Sequence, residues 1–554
     1  MSGHHPVLTT HRRLGPGPVL RRGSVRPYRR MGLLDGEPHV VRHELLGGTA
    51  GLASARGGAK PLFAFAHVTD LQLPDVQSPA RFEFFNRELS DPRFAKLVPV
   101  QRPQESLTAR AMQAMVATLN RVHAAGAPVT GLPLDLVVTT GDAIDNAQWN
   151  ELQNWFALLD GGRVRPGSGG PAYEGVQSPS WPDGVFWCPD GPSVVHPADL
   201  WCDDCGFGHR PGLLEAALAD FEAAPLDVPW LACYGNHEAL VQGVGVVTPE
   251  LARAMTGARK PTSLRAEYAD PDVALEVFTA QAHLFFGGDD VTVTADADRR
   301  PVGRAEFVAA HFAGGAPLGH GFTEVNRRDG TAYYAYDHGP VRFIGLDTTA
   351  NAGASDGCLD ADQLRWLTDR LIEVHATYEA ADGSVQRTTH EDRLVVLFSH
   401  HGMATLTNTR DGWVDEHGDP VFGGPELERL LHRFGNVVLW LNGHTHVNGI
   451  RAHPRPGAPG RGFWEVTTCA IMDWPCQARL VEFLDAGDGL LHIACTMLDH
   501  EGEVVPADGP AYTPADLAGL HRELAGNVFW HGFDSGAAGL TTDRNVVLPV
   551  LAPF

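Results

Sequence analysis

The sequence predicts an alternating α/β domain. Short apolar runs of strand length alternate with segments whose apolar residues recur at helical spacing. Five of these runs end in clusters of carboxylate and imidazole residues, the place where open α/β sheets collect their ligands.

The elements follow in order. Leu62-Phe63-Ala64-Phe65-Ala66 reads as a buried strand that opens at His67-Val68-Thr69-Asp70. Ser106 to Ala125 carries Leu107, Ala111, Met115, Leu119 and Val122 on one helical face and stops at Gly126. Leu134–Thr139 is the next strand, ending in Gly141-Asp142, and a helix follows over about 147–159. Trp230–Tyr234 resumes the strands and ends in Gly235-Asn236-His237-Glu238. Two strands, 333–336 and 341–346, precede a helix over 359–372. Leu394–Phe398 runs into Ser399-His400-His401-Gly402. A helix over 427–434 then leads to Val437–Leu441 and Asn442-Gly443-His444-Thr445-His446. Four alternating segments close the domain, near 447–453, 462–468, 478–484 and 490–498.

Composition bounds the function. The 554 residues are 43 % hydrophobic, enough for a sizeable core, and carry a net charge of −24. That acidity argues against bulk binding to nucleic acid or an anionic membrane, but not against a small phosphorylated substrate beside a bound cation. No run approaches the ~18–20 apolar residues of a membrane span. The chain reads as soluble, and the lack of an apolar signal segment favours the cytoplasm, with export left open because paired arginines (Arg12-Arg13, Arg21-Arg22, Arg29-Arg30) mark the start.

Carboxylates and imidazoles are ligands for borderline to hard divalent cations, and no cysteine lies in the five clusters, which disfavours a closed structural zinc site there. Two cations sharing a carboxylate can activate water and clamp a phosphoryl group. In order, Gly141-Asp142-Ala143-Ile144-Asp145, Gly235-Asn236-His237-Glu238, the histidine after Phe398 and Gly443-His444-Thr445-His446 resemble the motifs of the calcineurin-like metallophosphoesterase superfamily. The resemblance covers about 62–498 and implies a two-sheet β-sandwich flanked by helices. It implies that Asp142 bridges two cations, that Asp70 and His446 complete one site, and that Asn236, His400 and His444 complete the other. It also implies that His237 contacts the phosphate and helps the leaving oxygen depart, with a bridging hydroxide as nucleophile. His400 is preferred to His401 because Gly402 fits the family register.

One motif departs from the pattern. The family's Asp-x-His reads Asp70-Leu71-Gln72 here. Gln72 can ligate through its amide oxygen, a water can take the place, or Asp145 can move in; the favoured role for Asp145 is orientation of His237. A site richer in oxygen tilts the two divalent or mixed-valence metals toward manganese, iron or magnesium, with zinc the fourth candidate. The resulting expectation is a phosphoric ester hydrolase, monoesterase or diesterase. The alternative is a metal-poor binding protein whose first site Gln72 impairs, against which the retention of the other six groups argues.

The expected organisation is a flexible basic tail over 1–60, a catalytic domain over 61–500 with insertions at about 160–227 and 240–330 that wall the cleft, and an extension over 501–554 packed on the domain. Cys188, Cys202 and Cys205, with His196 and His209 nearby, form a candidate structural zinc site. Gly353-Ala354-Ser355-Asp356-Gly357 matches a nucleophile-elbow pattern by chance, since no strand leads straight into it.

Overall fold

Parallel pairing brings distant strand ends to a common edge. The computed structural model describes residues 7–46, 59–192, 199–409, 420–458, 460–487, 489–509 and 511–554. Its main strands, in chain order, are β1 (Arg12–Arg22), β2 (Pro27–Asp35), β3 (Val40–Val41), β4 (Lys60–Val68), β5 (Leu136–Thr139), β6 (Trp230–Leu231), β7 (Tyr334–His338) and β8 (Val341–Gly345). They continue with β9 (Leu394–Phe398), β10 (Val437–Asn442), β11 (Gly449–Pro454), β12 (Gly462–Thr467), β13 (Gln477–Asp485), β14 (Leu490–Asp499) and β15 (Val546–Leu551). A seven-stranded sheet runs β3-β15-β14-β13-β4-β5-β6, and a six-stranded sheet runs β7-β8-β9-β10-β12-β11. Strands β4, β5 and β6 are mutually parallel, as are β8, β9, β10 and β12. The fold is therefore mixed α/β with several sheets.

The alternation of side chains explains how the sheets are covered. In β9, Leu394, Val396 and Phe398 join an apolar cluster that also holds Phe63, Phe65, Leu480 and Ile493 of the larger sheet. Val395 and Leu397, on the opposite face, join Leu367, Leu371, Leu427 and Leu431. Those leucines come from two helices, Ala361–Ile372 and Gly424–Leu431. Phe65 meets Phe343 edge-on with centroids 5.5 Å apart, one of the contacts between sheets. Strands buried on both faces read as continuous apolar runs, as β9 and β10 do.

The helix over Thr108–Ala125 ends at Gly126, and Trp149–Asp160 follows close to its expected span. β6 is shorter than the apolar run that encodes it, because Ala232 N–H donates to His320 of an insertion instead of continuing the ladder. No helix of the described residues is long and apolar enough to cross a membrane.

The expectation of a flexible tail over 1–60 is corrected for residues 7–46; residues 1–6 and 47–58 lie outside the described residues. β1 and β2 pair antiparallel and dock on the helix Pro514–Asn527. Arg29 N donates to Asn527 Oδ1 at 2.7 Å, Asn527 Nδ2 returns a bond to Arg29 O at 2.8 Å, and Met31 N donates to Glu523 Oε2 at 3.1 Å. Backbone groups satisfied in this way hold the segment in place. Residues 501–554 supply that helix and β15, which lies inside the larger sheet.

Buried neutral histidines make the fold sensitive to acid. His375 Nδ1 donates to Leu371 O, while Nε2 accepts from Asn436 N at 3.0 Å, so a second proton has no acceptor. Burial pushes its pKa down to about 4. The unfolded chain then binds more protons between about pH 6.5 and 4, so stability present above that window is lost through it, by roughly 3 kcal/mol for this residue. His375→Gln is expected to show a shallower fall of the unfolding midpoint over that range; parallel curves for variant and parent would contradict the assignment.

Candidate metal centre

The five strand-end clusters meet at one edge of the two sheets. β4 delivers Asp70 and Gln72, β5 delivers Asp142 and Asp145, β6 delivers Asn236 and His237, β9 delivers His400, and β10 delivers His444 and His446. The turns are tight. Ten described residues other than glycine have positive φ, and five of them are Asp70, Gln72, Asp142, His444 and His446. Such backbone costs about 1–3 kcal/mol per residue and persists where surrounding contacts over-determine it.

Those contacts are visible. Gln72 N donates to Asp142 O at 2.7 Å, His444 N to Asp70 Oδ2 at 3.0 Å, and Gly443 N to His400 O at 3.1 Å. Glu238 gathers four backbone N–H groups, from Gly235 (2.7 Å), Asp142 (2.9 Å), Ala143 (2.6 Å) and Ile144 (3.2 Å), locking the β5 and β6 loops together. Gly243, at φ +69, packs where a Cβ would collide with Asn236 and His237.

Each ring presents one nitrogen inward. His400 Nδ1 donates to Thr140 O at 2.7 Å, leaving Nε2 3.1 Å from Asp142 Oδ2 and 3.1 Å from His444 Nδ1. His446 Nδ1 donates to Asp473 Oδ2 at 2.7 Å, leaving Nε2 3.3 Å from Asp70 Oδ1. His401 differs: Nδ1 pairs with Thr348 Oγ1 and Nε2 with Ser355 O, both at 2.8 Å, so neither nitrogen is free. Asp70, Asp142 and His400 form a group whose ligand atoms lie within 4.8 Å of one another.

Two amide oxygens test whether a cation fits. Gln72 Oε1 and Asn236 Oδ1 are buried and accept no hydrogen bond from any described group. An unsatisfied buried acceptor costs about 1–3 kcal/mol, and a hard cation is a natural partner for it. Gln72 Nε2 lies 3.1 Å from His446 Nε2, 3.3 Å from His237 Nε2 and 3.4 Å from Asp142 Oδ2, so its amide sits inside the cluster. The donor set of carboxylates, amides and imidazoles fits a divalent metal.

The electrostatics point the same way. Burial opposes charge on His400 and His446, yet carboxylate partners (Asp142 for the first, Asp473 and Asp70 for the second) raise both to about 9. Burial would raise Asp142, but His400 and His237 hold its carboxyl far below the usual range. Burial and its histidine neighbours push His444 well below the usual range, and burial together with His400 pushes His401 down to about 3. Positive charge is thus concentrated beside the two central carboxylates.

Asp145 stands behind His237. Its backbone carbonyl accepts from His237 Nδ1 at 2.7 Å, its Oδ1 lies 3.4 Å from the same nitrogen, and its Oδ2 accepts from Arg81 Nε at 3.1 Å. Sequence reasoning missed Asp473, which no strand-end motif marks, and gave Glu238 no role although the Gly-Asn-His-Glu run contains it. It also missed His531 of the C-terminal segment, whose Nε2 lies 3.2 Å from His446 O. The Cys188, Cys202 and Cys205 thiols are free and form no metal-ligand group among the described residues; Cys202 Sγ is 4.0 Å from His209 Nδ1, and His196 lies outside the described residues. Ser355 lies in a loop, as expected for a chance match.

No protein-family model and no curated protein matches the chain. Among solved structures, a dimetal phosphatase from Danio rerio is 12 % identical with a TM-score of 0.32, over 80 % of this chain and 97 % of its own. The sulfate thiohydrolase SoxB of Thermus thermophilus, solved with glycerol, is 13 % identical with a TM-score of 0.26, over 84 % of this chain and 61 % of its own.

Asp142→Asn is expected to lower metal retained after dialysis, by elemental analysis, from two equivalents toward none. Gln72→His is expected to retain both, and a metal-free Gln72→His protein would mean that the centre is built around the amide.

Proposed function

We propose that the chain is a metal-dependent phosphoesterase of the metallophosphoesterase type, with its two large sheets stacked as a sandwich and a dinuclear centre at their shared edge. The observation that carries the reading is that Asp70, Asp142 and His400 present ligand atoms within 4.8 Å of one another, with His444 against His400 and His446 against Asp70, while the amide oxygens of Gln72 and Asn236 are buried without donors. Asp70, Gln72 and His446 would hold one cation, Asn236, His400 and His444 the other, with Asp142 between them. Bound there, a pair of divalent cations supplies a water-derived nucleophile at neutral pH and neutralises the phosphoryl oxygens.

The chain's own residues do the rest. His237 is fixed through Nδ1 to Asp145, so Nε2 is the nitrogen left to hold a proton for the leaving oxygen. Burial disfavours charge on this ring, but Asp142 and Asp145 outweigh it and raise its pKa. Its side chain keeps 14 % exposure, enough to meet a substrate from solvent. Asp473 fixes the tautomer and orientation of His446 in the same manner.

Manganese-loaded protein is expected to hydrolyse p-nitrophenyl phosphate or its bis ester, with Asp142→Asn as the inactive control. His237→Ala should lower turnover by about 100-fold or more while leaving both metals bound. Metal loss in that variant would make His237 a ligand and overturn its role.

A further inference from the structure

Two enclosed arginines flank the candidate centre, and they differ in what their guanidinium groups still have to offer. Arg81 is fully buried, and each of its nitrogens is engaged. Nε donates to Asp145 Oδ2 at 3.1 Å, Nη1 to Glu105 Oε1 at 2.7 Å, and Nη2 to Glu105 Oε2 at 2.9 Å and Val100 O at 3.3 Å. Its work is structural: it holds Asp145 against His237.

Arg102 is held by one nitrogen only. Nε donates to both oxygens of Asp473, at 2.9 and 3.0 Å, and the backbone N–H is tied to Glu105 Oε2 at 3.0 Å. Among the described residues nothing accepts a hydrogen bond from Nη1 or Nη2. Neither atom is sealed from solvent without a partner, and the side chain keeps 11 % exposure. Its position follows from its neighbours. Asp473 also accepts from His446 Nδ1, so a single carboxylate separates Arg102 from a candidate ligand. Gln104 Nε2, at 3.2 Å, helps hold the Asp473 carboxylate that aims it.

We propose that Arg102 is the substrate-contacting arginine of this site, its Nη1 and Nη2 donating to terminal oxygens of a phosphoryl group and favouring monoesters over diesters. The proposal rests on the phosphoesterase reading above. A guanidinium fork pairs with phosphate oxygens in the plane its two amino groups define. A monoester dianion offers one more terminal oxygen and one more negative charge than a diester, so an added cation beside the centre rewards it selectively. Arg102 lies outside all five strand-end motifs, which is why motif reading alone does not find it.

The test is titration calorimetry with inorganic phosphate on manganese-loaded protein, together with KM and kcat on p-nitrophenyl phosphate and its bis ester. Arg102→Gln is expected to weaken phosphate binding by about 10- to 100-fold and to raise KM for the monoester comparably, with the diester changed no more than about threefold. Arg102→Lys keeps the charge without the fork and is expected to fall between; it also serves if Arg102→Gln does not fold. Metal content is expected to stay at the parent's value in both. Unchanged phosphate affinity, equal losses on both esters, or metal loss in Arg102→Lys would each overturn the proposal, the last by making Arg102 only a support for Asp473 and His446. A parent that binds no phosphate would overturn it too. A parent that binds phosphate through Arg102 but cleaves neither ester would overturn the phosphoesterase reading and leave the anion contact standing.

Discussion

The Asp142 carboxylate is the constraint on which the rest of the centre depends. It is 1 % exposed and ends a strand of the larger sheet, while its Oδ2 faces His400 from the smaller sheet at 3.1 Å. Its Oδ1 accepts from His237 N at 3.0 Å, so one side chain joins three strand ends. Taking a carboxylate out of water costs several kcal/mol unless it is paired and hydrogen-bonded, and removing one partner leaves that cost uncompensated. The loop around it is built for this purpose. Glu238 fixes its backbone, left-handed φ turns its side chain inward, and the same conformation at Asp70, Gln72, His444 and His446 aims their side chains at the same space.

How much of this was legible in the sequence depends on whether the signal is local. The strands that carry the centre are continuous apolar runs, and the residues that follow them stand in short motifs, so both could be read before any contact was known. The groups behind them could not. Asp473 matters because it meets His446 and Arg102, far away in the chain, and nothing adjacent to it announces those partners. The N-terminal hairpin was invisible for a related reason. Its glycines, prolines and arginines break any alternation, and its order comes from Asn527 and Glu523 near the other end of the chain. Even the shortening of β6 is a tertiary effect, since a loop carbonyl replaces the strand partner that local pattern implied.

Gln72 shows what a single departure from a pattern does. An imidazole at that place would bring one nitrogen; the amide brings an oxygen and two N–H donors. Its nitrogen lies 3.4 Å from Asp142 Oδ2, 3.3 Å from His237 Nε2 and 3.1 Å from His446 Nε2, and its oxygen is buried without a hydrogen-bond partner. The side chain is therefore half satisfied by the protein, and its oxygen is open to a cation or a hydrogen-bond donor.

Charge balance makes the same demand from the other direction. A protein of net charge −24 is a poor host for an anion unless the site itself is locally positive. Of the carboxylates around the centre, Asp145 shares Arg81 with Glu105 and Glu83, and Asp473 pairs with Arg102. Asp70 and Asp142 have no arginine or lysine partner among the described residues. His446 and His400 face them, and although burial opposes charge on both rings, Asp473 with Asp70 raises the first and Asp142 the second to about 9. Protons and divalent cations compete for the same ring nitrogens, and a cation brings twice the charge. Loaded with metal, the centre would shift toward positive charge. The acidic surface does not oppose this, because its charges are screened over about 8 Å at physiological salt while those inside the cluster are not.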